Sequence, residues 1–314
     1  MEEYAVVAFL DVLGFRKIVE DWDRAKEYYG RLSAYLNAHR TTFDLAEEWV
    51  YGREMPGPEM AERPQTTTRL LSDSIVITST DPVVALLRVI DILSMLLDGG
   101  IFLRGCIAHG RHVEVRSGED FAVVSQALAR AYEVESKEAV FPRVVLDPSF
   151  LGRLAENTAA LINLGRFLVQ SEDGHWFVNP FGHEGISMEL AAAHVRKGIA
   201  EAEREDIRAK YLWLGDLMNF LAYPGAVEKC AYYDEPGQFS QLMRTVKALG
   251  EPVVETYLHR ETPVRFLRFR HSQVRCALKE SFADNVGADR LHAAELAYLF
   301  GRERMRADDD AQTS

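Results

Sequence analysis

Residues Tyr4 to Leu10 read YAVVAFL, an unbroken apolar run of strand-forming residues that stops at Asp11 and is followed by Leu13-Gly14. The run predicts a buried central strand with the aspartate at its end. From Phe15 to about Val50, Ile18, Val19, Tyr28, Tyr29, Leu32, Tyr35 and Leu36 recur at helical spacing, predicting two helices or one broken helix. Residues 52–65, rich in proline and glycine, read as a loop or lid. Thr66–Leu71 and Ser74–Thr80 are β-branched runs separated by Ser72-Asp73, the pattern of a hairpin with an aspartate in its turn. Asp81-Pro82 opens a helix that runs to about Leu97 and stops at Gly99-Gly100.

Ile101–His109 reads as another strand, the stretch to Val124 as a looser hairpin, Ser125–Glu138 as a helix and Arg143–Leu146 as a short strand. The order predicts an α+β fold, an antiparallel sheet with helices on one face. Beyond Pro148 the pattern changes. A hairpin is expected around Phe167–Val178, and residues 188–222 form a long amphipathic helical stretch with Ile207, Tyr211, Leu214 and Met218 on one stripe. The last ninety residues are expected to be mainly helical. The division is 1–150 for the sheet domain and 151–314 for a hairpin and helical C-terminal extension.

A formal charge of -12 leaves no general electrostatic footprint for nucleic acid, so a phosphate-bearing ligand would need local cations, backbone amides or metal. Cys106, Cys230 and Cys276 lack paired spacing, which fits a reducing cytoplasm and offers no zinc site. The N-terminal apolar run lacks the basic flank of a signal peptide and the length of a membrane span, so no membrane association is expected.

Asp11 and Asp73 carry the candidate chemistry. Sheet pairing can set a strand-end aspartate beside one in a neighbouring hairpin turn. Adjacent carboxylates repel unless cations bridge them, and oxygen ligation suits Mg²⁺ or Mn²⁺, which also clamp triphosphates. Taken singly, each residue reads as an ordinary turn former or helix cap.

The neighbouring letters change that reading. FLDVLGF, residues 9–15, resembles the first metal motif of the class III nucleotidyl cyclases, LLSDSIVIT, residues 70–78, the second, and LRGCIAHG, residues 103–110, the fourth-strand block. The resemblance implies a ferredoxin-like cyclase core. Asp11, Asp73 and the carbonyl of Val12 would hold two ions, Mn²⁺ or Mg²⁺. The amides of Leu13, Gly14 and Phe15 would cradle the phosphates, and Arg104 would also bind substrate. In SQALARAYEVESKEA, residues 125–139, Arg130 takes the transition-state position and Gln126 stands where the family has asparagine. Arg69 and Val123 occupy the positions where purine cyclases carry a base-reading lysine and aspartate, so a different base is implied.

AYEVESKEA, the LRG block and KYLWLGDLMN at Lys210–Asn219 are similar to the pyrimidine cyclases of bacterial Pycsar anti-phage systems. That resemblance implies UTP converted to cyclic UMP, with CTP as the near alternative. It also implies a homodimer with composite active sites and a separate effector protein that answers to the product. The alternative from another class is a degenerate domain that binds a nucleotide and signals through its extension.

Other features carry plainer readings. His109 and His112 are taken as strand-end polar residues. The basic stretch Arg265, Arg268, Arg270 and Arg275 near Phe266 and Phe269 reads as a solvated or interface helix. Trp49 and Tyr51 read as packing residues.

Overall fold

In strand β1, Tyr4–Val12, alternate residues Val6, Ala8, Leu10 and Val12 are buried in one core. Each of the valines and the leucine contributes about 1.5–3 kcal/mol relative to exposure. The computed structural model describes residues 4–38, 66–117, 120–156, 167–171, 173–181, 188–222 and 266–267. The expected loop at 52–65, Trp49 and Tyr51, and the expected C-terminal helices beyond 222 lie outside the described residues.

Helices α1 (Phe15–Glu20) and α2 (Trp22–Ala38) follow β1; then come the hairpin β2 (Thr66–Leu71) and β3 (Ser74–Ser79), helix α3 (Pro82–Asp98) and strand β4 (Leu103–Ser117). These strands lie in the order β2-β3-β1-β4, all antiparallel, which is the ferredoxin-like arrangement. Tyr28 and Leu32 of α2 and most of α3 pack on the Val6–Val12 face. Asp81 caps α3 by accepting from the amides of Val83 (2.7 Å) and Val84 (3.0 Å), and Pro82 needs no such partner.

The opposite face is covered as well, which corrects the expectation of helices on one face only. After β5 (Asp120–Ser125), helix α4 (Gln126–Lys137) packs Ala127, Ala131 and Val134 against Val7, Phe9, Cys106 and Ala108. The sheet continues through β6 (Val144–Leu146), β8 (Trp176–Val178), β7 (Leu168–Ser171) and β9 (Phe266–Leu267), with helix α5 (Pro148–Ala155) between β6 and β7. The β4–β6 pairing is parallel, so the sheet is mixed and not purely antiparallel. Helices α6 (Met188–Glu201) and α7 (Glu205–Ala222) join the α4 side of the sheet. They bury Val169 and Phe177, which are direct register partners.

Several boundaries differ from expectation. Strand β1 continues through Asp11 to Val12, so the aspartate is paired within the strand. Strand β4 runs on to Ser117 and includes the first arm of the hairpin with β5. His109 and His112 are therefore interior to a strand; His109 stacks on Tyr4 and His112 is buried. The stretch 188–222 is two helices, because α6 folds back on α7 with the Tyr211 ring seated over Gly198. Phe266 and Leu267, expected in a helix, form a strand on β7. Gly105 is required by close approach: a Cβ there would collide with the carbonyl oxygen of Phe9.

Candidate active site

Asp11 lies in register between Ser74 of β3 and Arg104 of β4. One residue on, the Val12 amide donates to the Asp73 carbonyl at 2.9 Å, which ties the end of β1 to the β2–β3 turn. Ser72 opens that turn with a left-handed φ of 56°, leaving Asp73 as its second residue. The two aspartates are thus electrostatic neighbours. Burial pushes the Asp11 carboxyl above its ordinary range; Arg104 opposes the rise, the charge of Asp73 adds to it and Lys210 of α7 opposes it.

Arg104 is the central cation of this cluster. Its Nε donates to Asp11 Oδ2 at 3.0 Å and lies 2.7 Å from Oε1 of Glu135, a buried carboxylate on α4. Burial likewise raises the Glu135 carboxyl, with Arg104 working against the rise and Asp11 and Asp73 adding to it. Three carboxylates with one close guanidinium leave an excess of negative charge that a divalent cation would satisfy.

Among the described residues, no group of three or more His, Cys, Asp or Glu side chains is spaced to enclose a metal. The donor set at Asp11 and Asp73 instead fits an ion of the Mg²⁺ type, which binds through one or two carboxylates and keeps water or phosphate oxygens in its other positions.

The other expected residues are distributed as follows. The Leu13 amide donates to the carbonyl of Phe102 at 2.9 Å, so it is engaged within the fold. Gly14 has a left-handed φ of 76° with open space around its Cα, and its carbonyl receives the first turn of α1. Phe15 opens α1 and packs edge-on against Tyr29.

Arg69 points to the α4 side of the sheet and pairs with Glu114 Oε1 at 2.8 Å. Glu114 stands directly across the β4–β5 hairpin from Val123, and His112 Nε2 approaches its Oε1 at 3.5 Å. Burial pushes the Glu114 carboxyl up, and Arg69 and His112 outweigh it, leaving the group below its ordinary range.

Arg130 and Gln126 are not brought to this cluster within the chain. Arg130 Nε donates to Asp147 Oδ2 at 2.8 Å, and Asp147 also caps α5 through the Ser149 amide. Gln126 is the first residue of α4, beside Gly110 at the middle of β4, six residues along the strand from Arg104. It lies about 13 Å along the helix from Glu135.

Glu135, Glu114 and Lys210 were not singled out in sequence. Glu135 carried a readable signal: with Ala127 and Ala131 it forms an i, i+4, i+8 stripe, and a glutamate on a stripe of small buried residues is anomalous.

No protein-family model matches the chain, and no curated protein matches it. Among solved structures, the chain is similar to the guanylate cyclase domain of RhGC from Catenaria anguillulae in complex with GTP. That alignment has 16% identity over 56% of this chain and 96% of that one, with a TM-score of 0.35. The adenylyl cyclase CyaB from P. aeruginosa aligns at 12% identity over 57% and 94% of the two chains, with a TM-score of 0.36. A bacterial light-regulated adenylyl cyclase aligns at 12% identity over 63% and 98%, with a TM-score of 0.32.

Proposed function

We propose that the chain is a pyrimidine nucleotide cyclase that converts UTP to 3′,5′-cyclic UMP and pyrophosphate, a second messenger read by a separate effector protein in antiviral defence. CTP is the near alternative substrate. The observation that carries the reading is the meeting of Asp11 and Asp73, which lie in the two sequence motifs that resemble cyclase metal motifs and are tied together through Val12.

Two divalent ions, Mn²⁺ or Mg²⁺, held by Asp11, Asp73 and the Val12 carbonyl, would supply Lewis-acid activation of the ribose 3′-hydroxyl and charge neutralisation on the triphosphate. The protein's own residues position the rest. Arg104 stands beside Asp11, where a polyphosphate would lie, and Gly14 leaves the approach to the end of β1 open. Arg69, held by Glu114, faces the same side of the sheet as Asp11 and is placed for a base edge and not for phosphate. In-line attack on the α-phosphorus expels pyrophosphate, and Arg130 stabilises the equatorial oxygens.

Because Arg130 is anchored to Asp147, away from Asp11, the reading assigns it to the site of the second protomer in a two-fold dimer. The exposed apolar residues Val113, Val115 and Val124 of the β4–β5 hairpin and Tyr132 of α4 are consistent with a covered surface there. No helix of the described residues is long and apolar enough to cross a membrane.

The second reading, nucleotide binding without turnover, is favoured by Gln126 at the position where the family has asparagine. Incubation of the purified protein with Mn²⁺ and each NTP in turn separates the two. Pyrophosphate release with UTP supports the cyclase; a raised melting temperature with no pyrophosphate from any NTP supports the binding module.

A further inference from the structure

Arginine Nε carries a single N–H, yet in this protein two carboxylate oxygens lie within hydrogen-bonding distance of the Arg104 Nε. The proton is directed at Asp11 Oδ2, 3.0 Å away. Glu135 Oε1 is closer, at 2.7 Å, but it is buried and accepts no hydrogen bond. The other oxygen, Oε2, lies 3.1 Å from the Ser136 hydroxyl, whose one proton is shared with the nearer Tyr132 carbonyl at 2.8 Å. A buried charged acceptor within reach of a donor engaged elsewhere is costly unless the donor can turn to it.

We propose that Glu135 is a positioning residue that provides a second seat for Arg104, taking its Nε–H when a divalent cation takes Asp11. This rests on the reading of Asp11 and Asp73 as metal ligands and adds a residue that the reading does not contain. Without the second seat, Arg104 stays on Asp11 as a resident counter-cation and competes with the metal. With it, the guanidinium swings by less than its own width and remains in the site, beside where the triphosphate would lie. No bond is made or broken; one hydrogen bond changes acceptor.

Mn²⁺ titration of the nucleotide-free protein, with free Mn²⁺ counted by its aqueous electron paramagnetic resonance signal, tests this without catalysis. Wild type should show a Mn²⁺ site that Asp73→Ala abolishes. Glu135→Gln should weaken that site by about tenfold or more, the usual effect of removing a partner behind a metal ligand. Glu135→Asp retains the charge but is one methylene shorter. It should also weaken binding, whereas a mere field effect of the charge would leave it at wild-type affinity. In an Arg104→Ala background the competitor is gone, and both Glu135 substitutions should change affinity by less than about twofold.

Wild-type affinity in Glu135→Gln or Glu135→Asp overturns the proposal, as does a full effect that persists without Arg104. If wild type shows no Asp73-dependent Mn²⁺ site, the metal reading itself fails and the second seat falls with it. Melting temperatures of all variants verify folding, and Glu135→Asp supplies the answer if the Gln variant does not fold.

Discussion

The amide of Val12 donates to the carbonyl of Asp73 at 2.9 Å, just beyond the register pair Asp11↔Ser74. The backbones of two residues sixty-two apart in sequence are thereby fixed to each other by main-chain pairing. Their identity can change without changing the frame. Asp73→Ala should therefore fold normally. It should melt, without metal, at or above the wild-type temperature, because Asp73 contributes repulsion to Asp11. Calorimetry in the presence of a chelator measures this, and a clear drop in melting temperature would show that Asp73 is a structural turn residue.

The pH dependence of metal-free stability follows from the two raised carboxyls, Asp11 and Glu135. A carboxyl whose folded-state pKa exceeds its unfolded value binds its proton more tightly when folded. Its stabilising contribution is full below the unfolded pKa, about 4, and is lost as pH rises through the folded value. Chelator-treated protein should thus lose stability over that rise, and Asp11→Asn or Glu135→Gln should flatten the slope. Urea denaturation at stepped pH measures it; an unchanged slope in both variants contradicts the assignment.

Much of the frame for this site is legible in sequence. The YAVVAFL run, the Ser72-Asp73 turn and the Asp81-Pro82 helix start each carry local signals, and all three elements form as expected. The partners that complete the site are not local. Glu135 reaches Arg104 only because α4 crosses the face of the sheet that the sequence pattern leaves unassigned, and Glu114 reaches Arg69 only because β4 runs on into the hairpin. The engaged Leu13 amide depends on Phe102, on the far side of α3 in the chain, and the turn between α6 and α7 has neither glycine nor proline to mark it.

Arg69 is held by Glu114 opposite Val123, the position at which purine cyclases carry an acidic residue by the resemblance described above. Arg69→Ala should shift the ratio of turnover among the four NTPs by more than it changes the Mn²⁺ requirement. Competition between NTPs in one tube reads the first and a Mn²⁺ titration the second. Unchanged selectivity would remove Arg69 from base recognition.

Arg130 joins α4 to the cap of α5 through Asp147, so Arg130→Ala should destabilise the fold by about 1–3 kcal/mol, the loss expected for a charged hydrogen bond. It should also complement Asp73→Ala. In mixed dimers one site collects both lesions and the other none. If subunits exchange freely, activity should return to roughly a quarter of wild type per protomer. A mixture that stays inactive after verified exchange would place Asp73 and Arg130 in one chain's site or remove Arg130 from it.

The most direct measurement of the cyclase account is an equimolar mixture of ATP, GTP, CTP and UTP with Mn²⁺, incubated with wild type and with Asp73→Ala, and its products identified by mass. The account predicts cyclic UMP with an equal amount of pyrophosphate from wild type and neither from Asp73→Ala. Cyclic nucleotide formed equally by both proteins, or by neither while the wild type is folded and metal-loaded, would contradict it.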